Sequence, residues 1–323
     1  MTESITFTHD LQATQPDVHL ALTRAGVTGV EKVIRIAHSG TELLYAAQID
    51  CFVDLDPAQK GVHMSRFPET VAEAIDNVVI GEALHIEDLS EHIAAMVVER
   101  QGAVRSEVTI RATFPVTRIT PVSGLRTQEI YHLIGQALVN HRGARRMVGV
   151  QVRGLNACPC AQGLVRERAA DRLTEAGYDR SQIDEIFQLL PAATHNQRAE
   201  ATLMIGTKRE VDARDLIGIA ETSMSAPVFE LLKRPDELFV VEHAHLHPRF
   251  VEDSVRLMVA GTLERYDDLS DGCFVLARQV NHETIHNHDV LAERHGTVGE
   301  LRADLEGTPG PAQHTTARAW LET

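Results

Sequence analysis

Residues 29–38, GVEKVIRIAH, and 43–54, LLYAAQIDCFVD, are two runs rich in β-branched and aromatic residues, separated by a short Ser-Gly step. Together they read as a strand, a tight turn and a second strand. Two helical patterns come next, Pro68–Val79 and Ile86–Arg100. The first has proline at its start and acidic residues in its opening turn, as helix entries prefer. Val104–Thr117 and Glu129–Asn140 then supply two further strands, giving the order strand, strand, helix, helix, strand, strand.

The second half runs through a similar order. Met147–Arg153 and Glu200–Ile205 read as strands, with helices over Ala161–Gly177 and Ser181–Leu190 between them. Asp212–Leu232 and Pro248–Leu263 read as helices, Cys273–Val280 as a strand, and the remainder of the chain as a polar tail. The expected class is α+β in two tandem units, antiparallel sheets with helices on one face. One unit spans residues 1–143, the other 144–323 with a helical insertion at about 161–190; the basic, glycine-containing stretch HRGARR at 141–146 marks the boundary. The repetition is one of architecture, without a residue-by-residue repeat.

The chain has 323 residues, 43% hydrophobic and 24% charged, which is ordinary globular composition. Aromatics are 4%, with a single tryptophan, Trp320, so the core rests on Val, Leu, Ile and Ala. A formal charge of -15 argues against nucleic acid as a partner. It leaves room for one small anionic substrate in a locally basic pocket. No apolar run is long enough to span a bilayer, and Met1–Asp17 has no signal-peptide core; a cytoplasmic location without membrane partners is expected. Four cysteines in so long a chain do not make a disulfide framework. Cys51 and Cys273 lie in apolar runs and read as small hydrophobes.

Five stretches carry chemistry. In Ala157-Cys158-Pro159-Cys160-Ala161, a strand gives way to a helix; Pro159 suits the first helical position and puts Cys160 in the first turn. Backbone N–H groups point at the side chain there, and a thiolate is the form that binds a metal. Asn281-His282-Glu283-Thr284-Ile285-His286-Asn287-His288-Asp289 sets imidazoles and carboxylates just beyond a strand. His195 in Thr194-His195-Asn196-Gln197-Arg198 precedes another strand. Glu237 in Lys233-Arg234-Pro235-Asp236-Glu237 is read as following a helix end, and Glu252 as lying in the first turn of the next helix. Lys60, His63, Ser65 and Arg66 cluster around Gly61 before a helix, a composition that can cradle phosphate and equally that of an ordinary polar turn.

Taken together, LTRAGVTGVEK at 22–32, QKGVHMSRF at 59–67, PVSG at 121–124, ACPC at 157–160, HNQR at 195–198, LLKRPDE at 231–237, RFVEDSVR at 249–256 and HETIH at 282–286 resemble the type IB GTP cyclohydrolase I family, including its archaeal methanopterin-pathway branch. The resemblance spans nearly the whole chain. It implies tandem tunnelling-fold (T-fold) units assembling into an oligomeric barrel, commonly a tetramer, with sites at subunit interfaces. It also implies one divalent metal per site, Fe2+, Zn2+ or Mn2+, on Cys160, His195, Glu237 and His286. By the same resemblance Glu252 grips the guanine edge, and Glu283 is a second active-site carboxylate. His195 and Glu283 are the candidate proton shuttles, and the phosphates of GTP fall to Lys60, His63, Ser65 and Arg66, from a neighbouring subunit. The long helical link between Cys160 and His195 resembles the archaeal-type branch. The implied product is a 7,8-dihydroneopterin phosphate, triphosphate or 2',3'-cyclic. Two other readings of the residues remain at this stage: a T-fold nitrile reductase with Cys160 as nucleophile, and a non-catalytic structural zinc or binding module.

Overall fold

A computed structural model describes residues 11–12, 14–38, 41–80, 85–308 and 314–323. In the first half, β1 (Leu22–His38) and β2 (Thr41–Leu55) precede α1 (Arg66–Ile80) and α2 (Ile86–Gln101); β3 (Arg105–Ile119) and β4 (Arg126–Asn140) come after them. The Ser39-Gly40 step lies outside the described residues. In the second half, β5 (Gly143–Ala157) leads into α3 (Pro159–Glu175) and α4 (Arg180–Leu189), then β6 (Asn196–Gly206) and α5 (Ala213–Ser223). A two-residue β7 (Ala226–Pro227), α6 (Arg234–Leu246), α7 (Val251–Arg265), β8 (Phe274–His282), β9 (Val290–Thr297), α8 (Val298–Leu305) and α9 (Ala317–Glu322) complete the chain.

All strands pair antiparallel in one sheet, in the order β1-β2-β3-β4-β5-β6-β8-β9, with β7 added to β5. β1 and β9 form the edges, each with one neighbour. Side chains alternate across a strand, and the two faces differ in kind. One face carries Ile49, Cys51, Val108, Ile110, Val150, Ala201 and Leu203, all buried in a core that includes Phe67, Val71, Ile93, Leu216 and Met258 from the helices. The other is polar and tied by pairs across the strands, such as Arg111 with Asp50 at 3.1 Å and Arg278 with Glu293 at 3.8 Å. A continuous core joins both halves of the chain. Cys51 is buried in it, and burial, with Asp50 beside it, pushes the thiol up to about 12. Cys273 is half-buried and shares a hydrogen bond with Ser270 Oγ at 3.3 Å.

Four expectations need correction. The helix read over Asp212–Leu232 ends at Ser223, because Pro227 favours extended backbone before it and Ser225 turns inward to accept from Ala157 N–H at 3.1 Å. A separate helix, α6, begins at Arg234; Glu237 lies in its first turn rather than after a helix end. The polar tail is instead β9, α8 and α9. The Thr297–Glu300 capping box starts α8, the two side chains each accepting from the other's N–H. Helices do not all share one face either, since α9 packs on the polar side.

There Trp320 and Leu321 cluster with Ile134, Leu138, Met147, Met204 and Phe274. The indole N–H donates to the Gly272 carbonyl at 2.8 Å. The ring can sit flat because residue 206 is glycine: a Cβ there would stand 2.5 Å from a ring carbon. Gly206→Ala should therefore lift Trp320 from its seat at a cost of about 1–3 kcal/mol, the usual range for overpacking. A red shift of tryptophan emission would report it; emission identical to the parent protein would refute this account of the seat.

Candidate active site

Strand register brings distant motifs to one end of the sheet. Ala157 at the end of β5 pairs with Asn196 at the start of β6, and Arg198 pairs with His282 at the end of β8. Cys158, His195 and Glu283, each one step beyond these positions, are consequently neighbours. The Cys158 N–H donates to the His195 carbonyl at 3.1 Å, and the Thr194 hydroxyl donates to the Cys158 carbonyl at 2.8 Å.

The two cysteines take different parts. Cys158 is the N-cap of α3, its sulfur accepting from Ala161 N–H at 3.5 Å. Pro159 lacks an N–H and costs nothing in the first turn. Cys160 comes next, exposed and free.

The His195 side chain is 13% exposed, and its Nδ1 lies 3.8 Å from an oxygen of Glu283, itself 7% exposed. Thr284 Oγ1 is 3.4 Å from the same nitrogen and donates to the Asn196 carbonyl at 3.1 Å. A shielded imidazole beside a carboxylate can hold and pass a proton. At the base of the loop, His282 Nδ1 is 2.9 Å from Asp289. Farther out, His286 and His288 stack at 5.1 Å between ring centres, both exposed.

Glu237 and Glu252 reach this end on two helices. Val240 and Ala244 of α6 bury against Ala157 and Ala226. Gln162 of α3 donates to the Ala192 carbonyl at 3.0 Å and the His245 carbonyl at 2.7 Å, stitching α3 to α6. Arg249 N–H donates to the Ala157 carbonyl at 3.0 Å, and Asn156 donates to Ser254 Oγ at 3.1 Å, fixing the start of α7. Glu252, exposed in that first turn, opens on a cleft of about 430 Å3 shared with Arg256, Glu293 and Arg294.

Cys160, His195, Glu237, Glu252, Glu283 and His286 thus occupy elements that meet at one end. Among the described residues, no three His, Cys, Asp or Glu side chains are gathered closely enough to hold a metal ion. In kind, a thiol, two imidazoles and a carboxylate suit a borderline divalent cation. Lys60, His63, Ser65 and Arg66 lie elsewhere. They come after β2 at the end where Leu22 pairs with Leu55 and Arg105 with Asn140, the opposite end from Ala157. Arg66 donates to the Arg100 carbonyl at 3.2 Å, and the His63 carbonyl accepts from Gln101 at 3.1 Å. One chain does not bring these four to the other set.

Sequence reading missed Asp236. This buried carboxylate accepts from Val122 N–H at 2.9 Å, Ser123 N–H at 2.8 Å, Ser123 Oγ at 2.6 Å and Lys233 N–H at 2.9 Å. Burial alone would raise its pKa; the four donors, Ser123 foremost, outweigh burial and hold the carboxyl well below the usual range. It clamps the PVSG turn after β3 to the start of α6, one residue from Glu237. A signal was present in Pro235-Asp236, a helix-entry pair.

Residues 8–292 match the family described as type I GTP cyclohydrolase folE2. The chain belongs to that family. A GTP cyclohydrolase MptA from Methanococcus aeolicus is 41% identical over 306 residues, which is 92% of this chain and 99% of that protein. One from Haloferax volcanii is 40% identical over 301 residues, 92% of this chain and 98% of its own. The folE2 family relationship therefore covers every segment described above except the last elements. Likeness to solved structures is weaker: the uricase of Arthrobacter globiformis gives a TM-score of 0.49 at 8% identity, over 85% of this chain and 93% of that one. Among the described residues, no helix is long and apolar enough to cross a membrane.

Proposed function

We propose that this chain is a cytoplasmic, metal-dependent GTP cyclohydrolase of the type IB, archaeal-like branch of its family, working as a homotetramer of tandem T-fold units. It opens the guanine imidazole ring of GTP by hydrolysis at C8, releases formate and yields a 7,8-dihydroneopterin phosphate for pterin or methanopterin synthesis. The observation that carries this reading is the meeting of the ends of β5, β6 and β8, which sets the helix bearing Cys160 beside His195 and Glu283. It occurs in a chain 92% of which aligns with a GTP cyclohydrolase.

In this reading Cys160, His195, Glu237 and His286 are the ligands of one divalent cation, Fe2+, Zn2+ or Mn2+. The cation would supply Lewis acidity and lower the pKa of the attacking water. Glu252, as a carboxylate, accepts two hydrogen bonds from the guanine N1–H and 2-amino group. Glu283, held beside His195, takes and returns the protons that ring opening moves. Lys60, His63, Ser65 and Arg66 hold the triphosphate from a neighbouring subunit, a reading consistent with their place at the opposite end of the sheet from Ala157. The helical link α3–α4 favours the archaeal-type branch, whose product is the 2',3'-cyclic phosphate rather than the triphosphate.

The direct test is anaerobic incubation of metal-stripped protein with GTP and each ion in turn, following formate release and identifying the pterin by mass. Formate released equally well without any ion would refute metal dependence; no formate with any ion would refute the activity. Glu252→Gln should raise KM for GTP roughly tenfold to a hundredfold, the worth of hydrogen bonds to a charged group, at unchanged metal content. Loss of metal instead would assign Glu252 to the ligand set.

A further inference from the structure

At the far end of the sheet from the candidate active site lies a pocket of about 790 Å3, lined by the β4–β5 turn, the β6–α5 loop, the loop before β8, and α9. Its lining includes Arg142, Arg145, Arg146, Lys208 and Arg209. Glu91 is the one acidic side chain among the described lining residues, and Arg146 already engages it at 3.0 Å. Arg146 is matched by Glu91 and Asp88 and Arg209 by Asp268, which leaves Arg142, Arg145 and Lys208 as a net positive lining on a chain of formal charge -15.

Several of these cations lack an anion. No carboxylate among the described residues pairs with Arg142, Arg145 or Lys208. Arg142 donates to the Glu322 carbonyl at 3.3 Å, and the Arg145 guanidinium lies 4.7 Å from the centre of the Trp320 ring. Arg146 Nε is buried without an acceptor, although the same guanidinium pairs with Glu91 and Asp88. The volume falls within the range of roughly 300–1,000 Å3 typical of small-molecule sites.

Arg145 lies near the start of β5 and Ala157 at its end. Twelve residues at about 3.3 Å each separate the pocket from the candidate active site by roughly 40 Å within the chain. We propose that this pocket is an anion site for a polyphosphate group, separate from the cyclohydrolase chemistry. Phosphate oxygens would accept from the free donors of Arg142, Arg145 and Lys208, spread over two loops of the rim, an arrangement that favours several linked phosphates over one. The family match ends at residue 292, so Trp320 and the α9 wall of the pocket lie beyond it.

Trp320 is the only tryptophan, so emission reports on this pocket alone. Full-length protein titrated with tripolyphosphate should give a saturable change in emission, with inorganic phosphate at matched ionic strength binding at least tenfold more weakly. Arg142→Gln combined with Lys208→Gln, which leaves the Arg145–Trp320 stack in place, should weaken tripolyphosphate at least tenfold while leaving KM for GTP unchanged. Calorimetry on the same pair of proteins checks the affinities independently. Three results would overturn the site: no saturation at millimolar tripolyphosphate, equal affinity in the double variant, or a parallel rise in KM for GTP, which would make the pocket part of the catalytic apparatus.

Discussion

Cys160→Ala is expected to lower formate release from GTP by roughly a thousandfold or more, equivalent to about 4 kcal/mol of transition-state stabilisation, the scale on which a catalytic cation acts. Metal content should fall with it. The fold should survive, because Cys160 is exposed and no hydrogen bond of the helix entry depends on its sulfur. Exposed substitutions of this kind ordinarily stay within about 0.5 kcal/mol. Cys158→Ala is the informative control. It removes the cap of α3, a loss of about 1 kcal/mol, yet retains the outward sulfur, so substantial turnover should remain. Equal activity in Cys160→Ala and the parent protein would end the metal-ligand assignment. Collapse of activity only in Cys158→Ala would transfer the assignment to the other sulfur.

Asp236→Ala should produce a marked fall in thermal midpoint together with a loss of turnover. Removing the carboxylate strands three backbone N–H groups and the Ser123 hydroxyl in a buried place, and unmade buried donors are among the few mechanisms that make a single substitution severe. The start of α6 would loosen, and Glu237 with it, so kcat should drop further than unfolding explains. The pH dependence has a definite sign. Because the folded pKa is depressed, the clamp contributes fully above the ordinary aspartate value of about 3.9 and fades as pH falls towards the folded value. Acid melting of the parent protein should thus steepen below that point relative to Asp236→Asn. A variant that melts and turns over like the parent would show that the clamp is dispensable.

The legibility of this chain followed periodicity. Strands such as Val104–Thr117 and the helix Ile86–Arg100 were readable because β-branched residues with partial alternation marked the one and a helical apolar pattern the other. α6 was not, since Leu238, Phe239 and Val241 are exposed on it and its apolar pattern does not separate cleanly into an inner and an outer face. The neighbouring error, a helix carried through to Leu232, ignored Pro227. The C-terminal elements were hidden by polar composition, because β9 is a half-exposed edge strand and α9 depends on one tryptophan meeting a glycine 114 residues earlier. At the site, the motifs named Cys160, His195 and Glu283, whose elements register brings to one end of the sheet. They could not name Asp236, because three of its four donors, from Val122 and Ser123, lie more than a hundred residues away.

The sheet's open borders carry a geometric consequence. β1 has 17 residues and β9 has 8. If β1 of one copy joins β9 of the next, the shorter rim can satisfy at most about half of the longer one, and the remainder must meet solvent or a third neighbour. Any ring built this way is staggered, with a projecting lip of unpaired backbone at each seam.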